Sequence, residues 1–395
     1  MKTFLERYHL TPNHLLWGSV VILALIAFSS MIFSPPAPAE TNQETQSEEV
    51  SETLEGRVIE VISKDQRTVG GQEQPVQRVR VEITKGSHKG QTVEIEHGSM
   101  TLMTESRRVN VGDRVLVEHS RGPAGEYFYI SDFIRLPALL ALSLVFAIAT
   151  VIVGRQVGLR SLISMGLSVL VIALFILPRL SNGQSPPLVC TIGSLLLITP
   201  SLYLIYGWNY KTHSALLGLA IGLLLTNLLA MLFVRWGHLT GFSSDDAAFL
   251  VVSAQTRIDM RGLALGGIII GTVGVLDDVT VGQASTTFEL KEANPALNWR
   301  QLFRHGMAVG RDHIASMVNT LMLAYFGASL PLFLLLTASN APLVQALNRE
   351  FLAQEIIRTL VGSLGLILAV PTTSLIASLV AQKHGASNVG RRTVA

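Results

Sequence analysis

Two hydrophobic periods divide this chain. Residues 15–33 run without a charge, and apolar stretches return near 136–153, 159–177, 188–206, 212–234, 262–283, 306–337 and 352–381. Such runs match or approach the roughly 20 apolar residues that cross a bilayer as a helix. Counting the first, the pattern predicts eight transmembrane helices in an all-α membrane bundle. The last two are longer than a straight span, so tilting or a break is expected. Pro331 and Pro371 are the candidate break points, because proline removes a helical hydrogen bond.

Between residues 52 and 133 the period is two instead. Segments 57–62, 76–83, 91–96, 114–118 and 126–130 alternate apolar and polar positions. Gly70-Gly71, Lys85-Gly86, Lys89-Gly90 and Val111-Gly112-Asp113 separate them as turn signals. Five short strands predict a small closed barrel of SH3 or OB type, placed between helices 1 and 2. Acidic and basic residues alternate on it and no aromatic platform is visible, so a structural or partner-contacting role is favoured over nucleic-acid binding. Residues 40–51 are acidic, polar and aperiodic, and 34–51 together read as a flexible linker.

Composition supports the membrane reading. The 395 residues are 49% hydrophobic and 15% charged, where a soluble domain carries about 25% charged residues. The net charge of +2 carries no partner signal. Charge position says more. With residues 1–14 on the cytoplasmic side, twelve Lys and Arg fall in inside segments, including Arg155, Arg160, Lys211, Arg300, Arg304 and Lys383. Five fall in short outside loops: Arg179, Arg235, Arg257, Arg261 and Arg349. Both termini are therefore expected in the cytoplasm, with the tail at 383–395 and the β domain outside. Ala37-Pro38-Ala39 fits a signal cleavage site, yet the 15–33 run is longer than a signal core, so an uncleaved first helix is favoured. The loop from Arg235 to Arg261 holds an apolar patch at 247–252 that suits a short interfacial helix or cap. The single cysteine, Cys190, can form no intrachain disulfide.

Candidate chemistry lies in residues 262–327, where ionisable groups interrupt apolar sequence. Gly267, Gly271, Gly274, Asp278 and Gly282 recur at helical spacing, so they share one face, and such a stripe lets helix backbones approach closely in lipid. Asp278 would then point into a helix contact, with Asp277 at its border. The following helix offers Gly306 and Gly310 as a second small-residue pair. Asp312, Ser316, Asn319 and Thr320 form a polar stripe there, flanked by Arg311 and His313. Carboxylates with hydroxyls and an amide can bind a cation or relay protons in a coupled transporter. The competing reading is an Arg311–Asp ion pair that only knits two helices together. An intramembrane hydrolase is disfavoured, and no metalloprotease, nucleophile-elbow or nucleotide-binding motif occurs. His305 and His313 are read as an interface edge, and Glu289 and Lys291 as solvated surface charges.

The run GTVGVLDDVTVGQASTTFEL from Gly271, together with Asn294-Pro295 and GMAVGRDHIASMVNTLMLAYFGASLP from Gly306, resembles the YibE/F family of bacterial multi-pass membrane proteins. The resemblance extends over residues 136–382 and reaches into the preceding barrel. It implies a bacterial cytoplasmic-membrane protein of unsettled activity. It also implies a single aspartate after a Gly-x-x-Gly element, from which Asp277-Asp278 departs.

These readings favour a secondary transporter or permease-like protein with a polar centre of Asp277, Asp278, Arg311, Asp312 and Asn319. It would act on a proton or cation, with no cofactor, metal site or enzymatic step expected. The alternative is a non-transporting scaffold or signalling protein whose β domain binds an extracytoplasmic partner.

Overall fold

A computed structural model describes residues 52–69, 72–98, 107–122, 125–253, 258–338 and 342–384. The expectations for the first helix, the linker before residue 52 and the C-terminal tail lie outside the described residues, apart from Lys383 and His384, which end the last helix. The chain divides into two compact units between Ala149 and Thr150.

The sheet unit contains β1 (Glu52–Val69), β2 (Gln72–Lys85), β3 (Thr92–His97), β4 (Arg114–Gly122) and β5 (Gly125–Phe133), in the order β3-β2-β1-β4-β5. Every ladder is antiparallel. The long β1 pairs with β4 through its first part and with β2 along nearly all of its length. Its register against β2 shifts at Glu55/Gly56, Val58/Glu60 and Val61/Ser63. Such bulges bend a strand and increase its twist, so the sheet curls around Leu54, Val58, Val79, Val81, Ile83, Ile95, Val115 and Val117. A closed barrel was expected; the sheet is a half-barrel. β3 and β5 approach each other, but no ladder joins them, and closure requires that last set of hydrogen bonds. The buried Gln77 helps cover the core instead. Its amide donates to the Val109 carbonyl at 3.1 Å and accepts from the Val109 N–H at 2.9 Å.

The helical elements are α1 (Leu136–Val171), a π turn at Ile172–Ile176, α2 (Leu177–Ser181), α3 (Pro186–Tyr206), α4 (Tyr210–Trp236) and α5 (Asp245–Ser253). They continue with α6 (Met260–Ala293), α7 (Trp299–Ala328), α8 (Leu330–Ala338), α9 (Leu343–Leu347) and α10 (Glu350–His384). Among the described residues, five helices are long and apolar enough to cross a membrane, or six if the bent pair α7–α8 counts as one span. Of the eight expected spans the first lies outside the described residues, and residues 136–181, which the expectation divides in two, count here as one span of 46 residues. The runs at 136–153 and 159–177 are distinct only through a kink at Arg155, whose φ is 49°.

The two proline expectations part company. α7 and α8 meet at a bend of 64° just before Pro331, which lies in the first turn of α8, where a missing N–H costs no hydrogen bond. Pro371 lies inside an unbroken α10. There Ser374 donates to the Val370 carbonyl at 2.7 Å and Thr372 to Leu368 at 2.6 Å, while the Ile367 carbonyl, four residues before the proline, loses its helical N–H partner.

α4, α6 and α10 form the packed centre. Small residues set the approach: Gly218 faces Thr373, Gly222 lies against Ala369, and Gly365 faces Thr226. The 247–252 patch does form a short helix, α5, which leaves Phe249 and Val252 exposed.

Candidate functional site

α6 starts with Asp259 as N-cap, accepting from the Gly262 N–H at 3.0 Å. At its other end Lys291 donates to the carbonyls of Pro295 at 2.6 Å and Leu297 at 2.9 Å. Lys291, expected to be solvated, is therefore buried and ties down the turn, while Glu289 is exposed as expected. Asn298 and Gln301 then form a capping box that launches α7, so the two helices run as a tight antiparallel hairpin.

Along α6 the buried face carries Ile268, Thr272, Leu276, Thr280, Gln283 and Thr287. Its hydroxyls are satisfied within the helix. Thr272 donates to Ile268 at 2.7 Å, Thr280 to Asp277 at 3.2 Å and Thr287 to Gln283 at 2.9 Å. With the polar atoms turned inward on the backbone, this stripe packs as an aliphatic surface would. It lies one residue along from the glycine stripe singled out in the sequence. Gly267, Gly271, Gly274 and Asp278 face outward, and Gly282 is half-buried. Within this chain the stripe, expected to make the helix contact, meets few side chains, and Asp278 faces outward from it. Tyr325 and Arg358 only border it: added Cβ atoms would lie 3.2 Å from the Tyr325 hydroxyl at Gly271 and 3.6 Å from Arg358 at Gly267.

Asp277 sits between the two faces. It is half-buried, and its Oδ1 is closed off without a hydrogen-bond partner. Tyr206, the last residue of α3, lies within electrostatic reach of both Asp277 and Asp278. Beside it the Tyr203 hydroxyl meets His213 Nδ1 at 2.8 Å, and Trp208 stacks on Tyr203 at 4.5 Å between centroids. Exposed aromatics with polar tips of this kind suit the surface layer of a membrane.

The α7 residues do not join this centre. Arg311, Asp312, His313, Ser316, Asn319 and Thr320 are all exposed, and among the described residues no ion pair links Arg311 to Asp277, Asp278 or Asp312. His305 is exposed as well, and His313 stands beside Gly282. Gly306 and Gly310 are buried, as expected of a small-residue contact. What they receive is Gln283, which the sequence reading passed over. Its Nε2 donates to the Gly306 carbonyl at 2.7 Å, and its Oε1 is buried without a partner. The signal was available, since Gln283 continues the period of Thr272, Leu276 and Thr280.

A curled antiparallel sheet followed by several long apolar helices, one of them with paired carboxylates in mid-course, defines a multi-pass membrane protein. The family description YibE/F-like protein matches residues 142–383, and the description YibE/F family N-terminal domain matches residues 49–133. The chain belongs to the YibE/F family, and the two matches fall on the two units of the fold. No curated protein and no solved structure matches it.

Proposed function

We propose that the chain is a secondary transporter or permease-like membrane protein, with no enzymatic step, that works through Asp277 and Asp278 on α6. One observation carries this reading: Asp277 Oδ1 is shut away without a hydrogen-bond partner, about halfway along an apolar helix. A carboxylate oxygen buried without a partner is costly, and a transiting proton or cation is what would satisfy it. Tyr206 and the exposed Asp278 extend the site to the surface of the bundle. Gln283 and the Gly306–Gly310 face hold α7 against α6 nearby. The proposal keeps both termini on the cytoplasmic side of a bacterial membrane with the sheet unit outside, on the distribution of Lys and Arg when residues 136–181 cross twice, turning at the Arg155 kink.

The test is ion flux into proteoliposomes, read with a pH-sensitive dye for protons and with radioactive sodium for the cation. Wild type is expected to carry one of the two, and Asp277→Asn to lose it by at least about tenfold, an effect of about 1.4 kcal/mol on the barrier, with the folded yield unchanged. Equal flux in wild type and variant would sink the proposal.

A second reading, a scaffold or signalling protein, rests on a different observation. Arg311, Asp312 and Asn319 all face away from the rest of the chain on α7. In a bilayer such a face calls for a partner helix. On that reading both aspartates tolerate Asn, and deleting residues 52–133 releases a co-purifying protein.

A further inference from the structure

The sheet unit gathers a group of side chains that no neighbouring position in the sequence suggests. Glu52 opens β1, and the antiparallel register sets it directly opposite His119 on β4. The turn after β2 then folds back over this pair. Gly86 and Gly90 take φ values of 110° and 85° there, a backbone that places Ser87 and His88 above the β1–β4 ladder. Glu52, His88 and His119 each offer a ligand atom, and these atoms lie within 4.8 Å of one another.

The surroundings orient the donors. Ser87 presents its N–H to Glu52 Oε1 at 3.0 Å and donates its hydroxyl proton to Glu52 Oε2. That hydroxyl also meets His88 Nδ1 at 2.7 Å. A serine has one proton to give, so in this contact His88 Nδ1 is the donor, and its lone pair is left on Nε2. The rings are fixed as well. His119 stacks on Phe128 at 4.7 Å between centroids, and His88 meets the His119 ring edge-on at 4.5 Å. His119 is 5% exposed, yet its Nε2 has no hydrogen-bond partner. A buried polar atom left unpaired in this way calls for an explanation. Glu126 Oε2 lies 3.6 Å away, and its other oxygen is held by Arg121 at 2.8 Å.

We propose that Glu52, His88 and His119 form a binding site for a divalent metal ion of the zinc class, with Glu126 as an outer carboxylate. Two imidazoles and one carboxylate leaving an open position make up a well-known zinc donor set, and imidazole favours zinc and its neighbours over calcium or magnesium. Bonds of about 2.1 Å in tetrahedral geometry separate neighbouring donors by about 3.4 Å. The three donor atoms lie within 4.8 Å of one another, so binding requires them to draw closer toward that distance. The Ser87–His88 contact supplies the outer hydrogen bond that usually fixes a ligating histidine. Bound metal would clasp the 85–90 turn onto β1 and β4 at one end of the sheet.

The experiment uses the untagged full-length chain in detergent, stripped with a chelator and titrated with Co²⁺ as a spectroscopic stand-in for Zn²⁺. The expected result is one equivalent bound, with the intense visible band of tetrahedral cobalt, and displacement by Zn²⁺. Zn²⁺ should also raise the thermal midpoint of the sheet, because a ligand that binds only the folded state stabilises it. His88→Ala sits on a surface turn and keeps the core intact. It should lose the tetrahedral band and weaken binding by at least about tenfold, as should Glu52→Gln, while Glu126→Gln weakens it less. Absence of a tetrahedral band in wild type would overturn the proposal. So would an equal band in wild type and in His88→Ala, which would mark adventitious histidines elsewhere.

Discussion

In the sheet unit the core is filled by β-branched and leucine side chains, and the charged groups sit outside it in cross-strand pairs. Arg80 bridges Glu60 and Glu94, Lys85 meets Glu55, and Arg121 meets Glu126. In the helical unit Leu219, Leu223, Ile268, Leu276 and Leu366 are fully buried too, but Gly, Ala, Ser and Thr set the closest approaches between helices, and the ionisable residues of α6 and α7 stand apart from one another. Arg358 and Glu355 pair there within α10 rather than across helices. The contrast teaches how each unit excludes water. Strands interlock bulky side chains over a curved surface, and each is worth more the larger it is. Apolar helices in lipid gain little from bulk and associate through close backbone approach instead. Adding volume should therefore damage the helical core, and adding charge should damage the sheet core.

The largest effect is expected where α4 meets α10. A Cβ on Gly218 would collide with the hydroxyl and the Cβ of Thr373, and one on Gly365 with the hydroxyl of Thr226. Thr373 and Thr226 are fully buried and β-branched, so neither has a free rotamer to retreat to. Gly218→Ala and Gly365→Ala should each destabilise by about 1–3 kcal/mol. Thermal unfolding in detergent, followed through the helix signal, checks this. Wild-type stability in both variants would mean that the packing of α4 on α10 is not set by these glycines.

A smaller effect, of the opposite origin, is expected in the sheet. His97 is buried at the end of β3, with its Nε2 3.1 Å from the Arg107 carbonyl, to which it donates as a neutral ring. Burial first, and the Arg107 charge in addition, hold its pKa below the ordinary 6.5. The unfolded chain thus binds the proton more readily. The stability His97 contributes is complete above pH about 6.5 and is lost as the pH falls from there through its folded-state value. The strand band of the infrared spectrum should show a melting midpoint that drops over this interval in wild type and drops less in His97→Gln. The helix band should show no such step from this residue.

How much of this was legible in the sequence follows from the same contrast. The alternating segments and their glycine turns announced the strands, and the apolar runs announced the helices, because both depend on local periodicity. Closure of the barrel was not legible: it turns on whether β3 and β5 exchange hydrogen bonds, and no local pattern encodes that. The site split in a similar way. Asp277 was visible as a charge inside an apolar run, and Gly306 and Gly310 as a small-residue pair. Gln283 was missed because an amide reads as polar and surface-bound until a partner helix is there to receive it. Glu52, His88 and His119 were invisible, since only the β1–β4 register and the turn after β2 bring them together.

The smallest expected effect is also the one that tests the reading of α6 most closely. Gly274 lies on the stripe that looks, in sequence, like a helix contact, yet a Cβ there meets nothing within 4 Å. If that face is open, Gly274→Ala should be neutral or stabilising by up to about 1 kcal/mol, the ordinary gain of alanine over glycine in a helix interior. The comparison is with Gly365→Ala in the same detergent, where the same single methyl group is expected to be damaging. Should Gly274→Ala prove as harmful as Gly365→Ala, the outward face of α6, Asp278 with it, is covered in the membrane by something beyond the described residues. Size-exclusion chromatography with light scattering then separates the two sources: a fall in assembly size identifies a second copy, and an unchanged size identifies another segment of this chain. A neutral result leaves Asp278 facing outward beside Gly274, on the side from which an ion would reach Asp277.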